Sequence, residues 1–336
     1  MIRTALLPLL LATPAAADLT VVTDIAPVQA LVAEVMEGAG TPALLVPPGA
    51  SPHDFSLRPS DAAALAEAGH IVWVGEGLTP WLTRLLETLP GEGAGVTELM
   101  EVPGWTALPT RSGLQEGGAP EDTEEDHDHD ASAGDDQDDH ADHDHEDHSD
   151  HEGHEDHEDG AEHAHDHGAT DPHAWLDPAV AAVWVVAIGE EFAAADPDNA
   201  ELYRSNAALS ASQLDLLATE LRDGADPLPG VLLPHDAFQY LEAALDWSPA
   251  GYVTAHDDAD PGPAHLADLR DRIDAGEVSC LMIPPGPQPG WVAALADGTD
   301  LRIGRIDPLG AEGQSYADTI RTAVAALEIC GDGEGL

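Results

Sequence analysis

Midway along the chain, residues 177–222 read DPAVAAVWVVAIGEEFAAADPDNAELYRSNAALSASQLDLLATELR. Two Asp-Pro pairs punctuate this stretch. Asp177-Pro178 and Asp196-Pro197 each put a side-chain acceptor at a helix N-cap and a proline in the first turn, where a missing N–H costs nothing. The first pair predicts a helix through about Ala194 and the second a longer one to about Arg222. On either side the pattern changes to short apolar runs alternating with helical stretches. Upstream, Leu19–Val22 and Ile71–Val74 read as buried strands and Ala43–Val46 as a weaker third. Val28–Glu37 is helical by spacing, and Ser60 is an N-cap for a helix that Gly69 ends after Ala68. Downstream, Val231–Leu233, Tyr252–Thr254, Ser279–Ile283 and Leu301–Ile306 are short apolar strands, separated by helical stretches such as Asp236–Leu245 and Ala264–Ala275. Alternation of this kind places helices between parallel strands. The expected architecture is therefore two α/β lobes joined by a helical segment, with a ligand held at the carboxyl ends of their strands.

Charge narrows the ligand. The chain has 336 residues with 65 Asp and Glu against 11 cationic side chains, all of them Arg, and a formal charge of -54. Nucleic acids and anionic membrane surfaces both need clustered cations, so this field repels both and attracts positive ions. Residues 121–167 alone hold 23 acids and 12 of the 18 histidines. The wider stretch 112–169 lacks apolar periodicity and aromatic residues and so reads as an insertion without a packed core.

Met1–Ala17 has the parts of a secretory signal: Arg3, an apolar stretch over Ala5–Leu11, and Ala15-Ala16-Ala17 before Asp18. Later apolar runs fall short of a membrane span, the longest being Pro178–Gly189. Five segments follow from these readings: a signal peptide at 1–17, an N-terminal lobe at 18–111, the acidic insertion at 112–169, junction and linking helices at 170–225, and a C-terminal lobe at 226–336. Cys280 and Cys330, an even count in an exported chain, suit one disulfide, with two buried free thiols as the alternative.

Outside the acidic run six histidines remain, and three share a setting. His53 lies in Pro48-Gly49-Ala50-Ser51-Pro52-His53-Asp54, His173 in Asp171-Pro172-His173-Ala174-Trp175-Leu176-Asp177-Pro178, and His235 in Pro234-His235-Asp236-Ala237-Phe238. Proline on the N-terminal side of each stiffens the backbone, so a ligand is held without ordering a floppy loop. Three convergent imidazoles suit zinc, which favours nitrogen in a tetrahedral shell and leaves a place for carboxylate or water. His70, entering a strand, and His256 and His265, in a Pro- and Asp-rich segment, read as structural.

These motifs, together with Phe55 after the first and Asp307-Pro308-Leu309-Gly310 near the end, resemble the periplasmic zinc-binding components of ABC importers, the ZnuA type within the wider Zn/Mn solute-binding group. The likeness runs over nearly the whole mature chain in the right order and extends to the acidic, His-rich insertion. It implies two α/β lobes joined by a long rigid helix, here Asp198–Arg222, with the metal between the lobes. It also implies His53, His173 and His235 as ligands of Zn(II), Asp307 as a fourth ligand in competition with water, and a Cys280–Cys330 disulfide. His at the third position, where manganese-binding relatives have Glu, shifts the preference toward zinc. One departure is Pro284-Pro285-Gly286-Pro287-Gln288-Pro289, where relatives often carry an acid before Pro-Gln.

The expected role is capture of Zn(II) in the periplasm by a monomer that docks on an ABC-type permease, with neither membrane insertion of its own nor enzymatic activity. Auxiliary weak sites for metal are His127, His129, His140, His143, His145, His148, His151, His154, His157, His163, His165 and His167, whose neighbouring carboxylates make protons strong competitors. The bland alternative is a solvated spacer. A secreted zinc metallohydrolase would need an open metal position and an acid/base group, and the chain has no His-Glu-x-x-His pattern. A storage protein or adhesin is the third class, against which the absence of a Cys after the signal argues.

Overall fold

The computed structural model describes residues 19–91, 93–111, 170–224, 230–255 and 259–332. The expected signal peptide and acidic insertion lie outside them. Strands β1 (Val21–Thr23), β2 (Ala43–Leu44), β3 (His70–Trp73) and β4 (Gly95–Glu98) form one parallel sheet in the order β2-β1-β3-β4. Its helices are α1 (Ala26–Val35), α2 (Pro59–Glu67) and α3 (Pro80–Leu86), each with a proline in its first turn. On α1, Val28, Leu31, Val32 and Val35 recur at helical spacing and are buried.

Three local expectations need correction. The Val28–Glu37 helix starts earlier, because Pro27 is compatible with a first turn. Ser60 is not the cap of α2: that helix begins at Pro59, and Asp61 accepts the Arg58 N–H at 2.9 Å. Strand β4 has no counterpart in the sequence reading, since Val96 on this edge strand is exposed and no apolar run marks it.

The linking helices are α4 (Pro178–Ala195) and α5 (Ala200–Gly224, 25 residues), separated by a 3₁₀ turn at Pro197–Asn199. Asp177 caps α4 by accepting the Ala179 N–H at 2.8 Å. At 18 residues, α4 is long and apolar enough to cross a membrane by length and composition, although Glu190 and Glu191 end its uncharged run at Gly189. Its apolar surface is used inside the fold, where Val180, Trp184, Val185, Ile188 and Phe192 are buried. The two helices touch at Gly189, where a Cβ would meet that of Ala207 at 2.6 Å, so only glycine allows this approach.

Strands β5 (Val231–His235), β6 (Gly251–Thr254), β7 (Cys280–Ile283) and β8 (Arg302–Arg305) form the second parallel sheet, in the order β6-β5-β7-β8. Helices α6 (Gln239–Leu245), α7 (Pro263–Asp274), α8 (Trp291–Ala296) and α9 (Tyr316–Asp332) accompany it. Helix α6 starts three residues after the expected Asp236. The sequence reading passed over α9, although Ile320, Ala323, Val324, Leu327 and Cys330 on it are buried at helical spacing. Cys330 is bonded to Cys280 on β7, closing the predicted disulfide. One apolar cluster runs from β1 and α1 through α4 and α5 to β5, α6 and α9, so the linking helices form core as well as connection.

Candidate metal centre

The three histidines of the trio are held in different ways. His235 is the last residue of β5 and is 6% exposed. His173 precedes a 3₁₀ turn at Ala174–Leu176 that feeds α4, and is 7% exposed. His53 lies half-buried on the Pro-rich turn beyond β2. There Trp81 Nε1 donates to Pro52 O at 2.8 Å, the Phe55 and Trp81 rings lie 5.5 Å apart, and the His53 N–H reaches Ser51 Oγ at 3.3 Å.

The fold brings these rings together around His173. Its centroid is 5.5 Å from that of His53 and 5.9 Å from that of His235, with interplanar angles of 61° and 66°. Two imidazoles on one tetrahedral zinc, at the usual Zn–N length of about 2.0–2.1 Å, hold their centroids roughly 5 Å apart. The pairs are therefore slightly open. Among the described residues no group of three or more His, Cys, Asp or Glu is drawn together closely enough to grip an ion as it stands.

His173 is oriented by a residue that the sequence reading did not single out. Asp171 Oδ1 accepts both the backbone N–H of His173, at 2.9 Å, and its Nδ1, at 2.7 Å. Burial pushes the Asp171 carboxyl up, but its hydrogen bonds and charge interaction with His173, together with the bond from Gln239, outweigh that, and it ends below its ordinary range. An ionised acceptor makes Nδ1 the protonated nitrogen and leaves the Nε2 lone pair for a ligand. Asp171 is itself held by Gln239 Nε2 on Oδ2 at 3.2 Å and by the Tyr240 hydroxyl on its carbonyl at 3.1 Å. The signal was the Asp-x-His spacing, which lets a carboxylate fold back on the ring two residues later.

Asp307 occupies a turn in which Oδ1 accepts the N–H groups of Leu309 and Gly310, both at 3.0 Å. The turn is tied to the same neighbourhood, because Pro308 O accepts from Trp175 Nε1 at 3.0 Å and the Trp175 ring lies 5.2 Å from that of His173. The other described histidines have structural partners. His70 is buried against Phe192, with Nε2 2.8 Å from Thr97 Oγ1, and burial lowers its pKa to about 4, so the ring is neutral. His265 Nε2 lies 3.1 Å from Tyr252 O. His256 and the twelve auxiliary histidines, His127 to His167, lie outside the described residues.

Beside His235 opens a cleft of about 290 Å³, walled by Pro234, Thr254, Asp260, Pro284 and Trp291. The unusual proline stretch on its rim is held by Arg305, which donates to Pro284 O and Gly286 O at 2.9 Å each.

The model of the family described as "Zinc-uptake complex component A periplasmic" matches residues 21–330. A high-affinity zinc uptake system protein, ZnuA of Brucella abortus (strain 2308), is 36% identical over 316 residues, 92% of this chain and 91% of the relative. Two solved structures share the fold. The Zn(II)-bound ZnuA-like domain of Streptococcus pneumoniae AdcA has a TM-score of 0.64 at 19% identity, over 94% of this chain and 100% of that one. The solute-binding protein FpvC of Pseudomonas aeruginosa, in complex with Mn2+, has 0.68 at 17% identity, over 95% and 100%.

Proposed function

This chain belongs to the ZnuA family of periplasmic zinc-uptake components, and we propose from that premise that it captures Zn(II) at His53, His173 and His235 and hands the ion to an ABC-type permease. The observation that carries the ligand assignment is the ring cluster centred on His173, whose Nδ1 is engaged by Asp171 and whose Nε2 is thereby presented. Small inward movements of the flanking rings close three nitrogens on one ion. An all-imidazole set suits zinc better than manganese, whose preference runs to carboxylate and water. The fourth place falls to the Asp307 carboxylate or to water. The chain acts as a monomer and carries its ion without a chemical step.

The acidic insertion serves as an antenna in this reading. Its 23 acids and 12 imidazoles raise the local zinc concentration through weak sites and their field, while the tight site lies elsewhere. Metal analysis and chelator competition on the mature chain test both parts. One tight zinc per chain is expected, with manganese bound far more weakly, and that zinc survives deletion of residues 121–167 while weaker ones disappear. Loss of the tight ion on deletion would move a primary ligand into the insertion. An ion retained by the His53→Ala, His173→Ala and His235→Ala variants would end the assignment.

A further inference from the structure

Two backbone segments run side by side where the chain leads into Asp171 and His173. Pro109 and Thr170 form an antiparallel bridge, and the Asp171 N–H donates to Leu108 O at 2.9 Å. Helix α6 ties both segments down. Leu108 N–H donates to the Tyr240 hydroxyl at 2.9 Å, and Gln239 Nε2 reaches Pro109 O at 3.0 Å as well as Asp171.

Arg111 ends the first segment, and its guanidinium lies between two carboxylates of the C-terminal half. It bonds Asp236 Oδ1 at 2.8 Å and Glu242 Oε2 at 2.6 Å, contacts the Tyr252 hydroxyl, and stands 5.1 Å over the Tyr252 ring. The Tyr252 hydroxyl bonds Glu242 Oε1 at 2.7 Å, completing the cluster. Asp236 directly follows His235, and Glu242 sits on the helix that holds Asp171. One cation thus spans the supports of two imidazoles.

We infer that Arg111 is a positioning residue for metal retention: by pinning Asp236 and Glu242 to the Leu108–Arg111 segment, it holds His235 in register with His173 and slows escape of a bound ion. This rests on the reading that those imidazoles hold the zinc. The physical reason is desolvation. The Asp236 and Glu242 side chains are 9% and 6% exposed, so without the guanidinium Asp236 is left as an uncompensated buried charge and Glu242 as a buried acid that keeps its proton and loses its partner. Burial, partly offset by Arg111, already drives Glu242 up to about 7. The cheapest relief is outward rotation of the turn after β5, which carries His235 with it. An ammonium supplies the charge but not the rigid fork that reaches both acids.

The test compares Arg111→Met, Arg111→Lys, Glu242→Gln and His235→Ala in the full mature chain. Zinc Kd and dissociation rate are measured by chelator competition, ligand geometry by the visible absorption of the Co(II)-loaded protein, and stability by thermal unfolding. Arg111→Met is expected to weaken zinc about 10-fold or more, mainly through faster release, and to perturb the cobalt bands, in line with other residues that support metal ligands. Arg111→Lys should fall between Arg111→Met and the parent. Glu242→Gln keeps the Arg111–Asp236 arm and should shift both readouts in the same direction by less; it decides the matter if Arg111→Met fails to fold. Parental Kd, release rate and cobalt bands in Arg111→Met and Glu242→Gln would overturn the inference, as would lowered stability with an unchanged cobalt spectrum. If His235→Ala also keeps its zinc, it is the trio that falls instead.

Discussion

The two four-stranded sheets share one strand order, β2-β1-β3-β4 and β6-β5-β7-β8, yet they present their histidines differently. In the C-terminal sheet His235 is part of β5 itself, and Asp236 beside it is clamped by Arg111. In the N-terminal half the proposed donor His53 comes nine residues after the short edge strand β2, on a turn steadied by Trp81 and Ser51. His173, between them, is locked by Asp171. A donor built into a strand is placed by the sheet, whereas a donor on a turn is placed by a few local contacts, so the same topology yields a stiff wall and an adjustable one.

The largest effect should follow from removing the shared donor. His173→Ala is expected to raise the zinc Kd by roughly 100-fold or more, since each ligand carries a large share of a site of this type. His235→Ala should come next and His53→Ala last, because water enters most easily on the adjustable side. Chelator competition gives the order, and His53→Ala as the worst of the three would break the comparison.

The disulfide adds a second asymmetry. The pair Cys280→Ser with Cys330→Ser should cost about 2–4 kcal/mol in urea unfolding. Hydrogen exchange should rise in β7, β8 and α9 while β1 and β3 keep their protection; uniform loss across both sheets would show that the halves unfold as one. Smaller again is the expected effect of Asp171→Asn, which keeps the shape but not the charged acceptor that sets the His173 tautomer. Zinc affinity should drop about 10- to 100-fold with little change in melting temperature.

An effect of a different kind, on the pH dependence of stability and not on metal, comes from two buried groups of the N-terminal half that pull in opposite directions. Burial raises Asp24 from 3.8 to about 7, although it accepts the N–H groups of Ile25 and Val74, both at 2.8 Å. The native state therefore holds this proton more tightly, and its contribution to stability is present at low pH and is lost as pH rises through about 7. His70, lowered to about 4, does the reverse: its contribution is present above 6.5 and lost as pH falls through about 4. Relative to the parent, Asp24→Asn should gain stability with rising pH by up to about 1.4 kcal/mol per unit between pH ~4 and ~7. Parallel pH profiles of the two metal-free proteins would show that Asp24 ionises normally.

Much of this molecule was legible in order of residues alone. Parallel strands buried on both faces leave continuous apolar runs such as Val231–Leu233, and Asp177-Pro178 announces a helix start through purely local chemistry. Edge strand β4 stayed hidden because half its surface faces water. Helix α9 was missed although Ser315 marks its start, its Oγ accepting the Asp318 N–H at 3.1 Å, and no proline follows that cap to strengthen the signal.

Residue identity and local spacing determined the α/β alternation and the three imidazoles, because proline geometry, helical period and nitrogen donors are properties of short segments. What holds Asp171 against His173, and what keeps His235 beside it, was decided only by the tertiary structure. Those questions turn on hydrogen bonds to partners far away in the chain, such as Arg111 to Asp236 across 125 residues and to Glu242 across 131. The strength of such bonds comes from burial, and burial exists only once the two halves have packed.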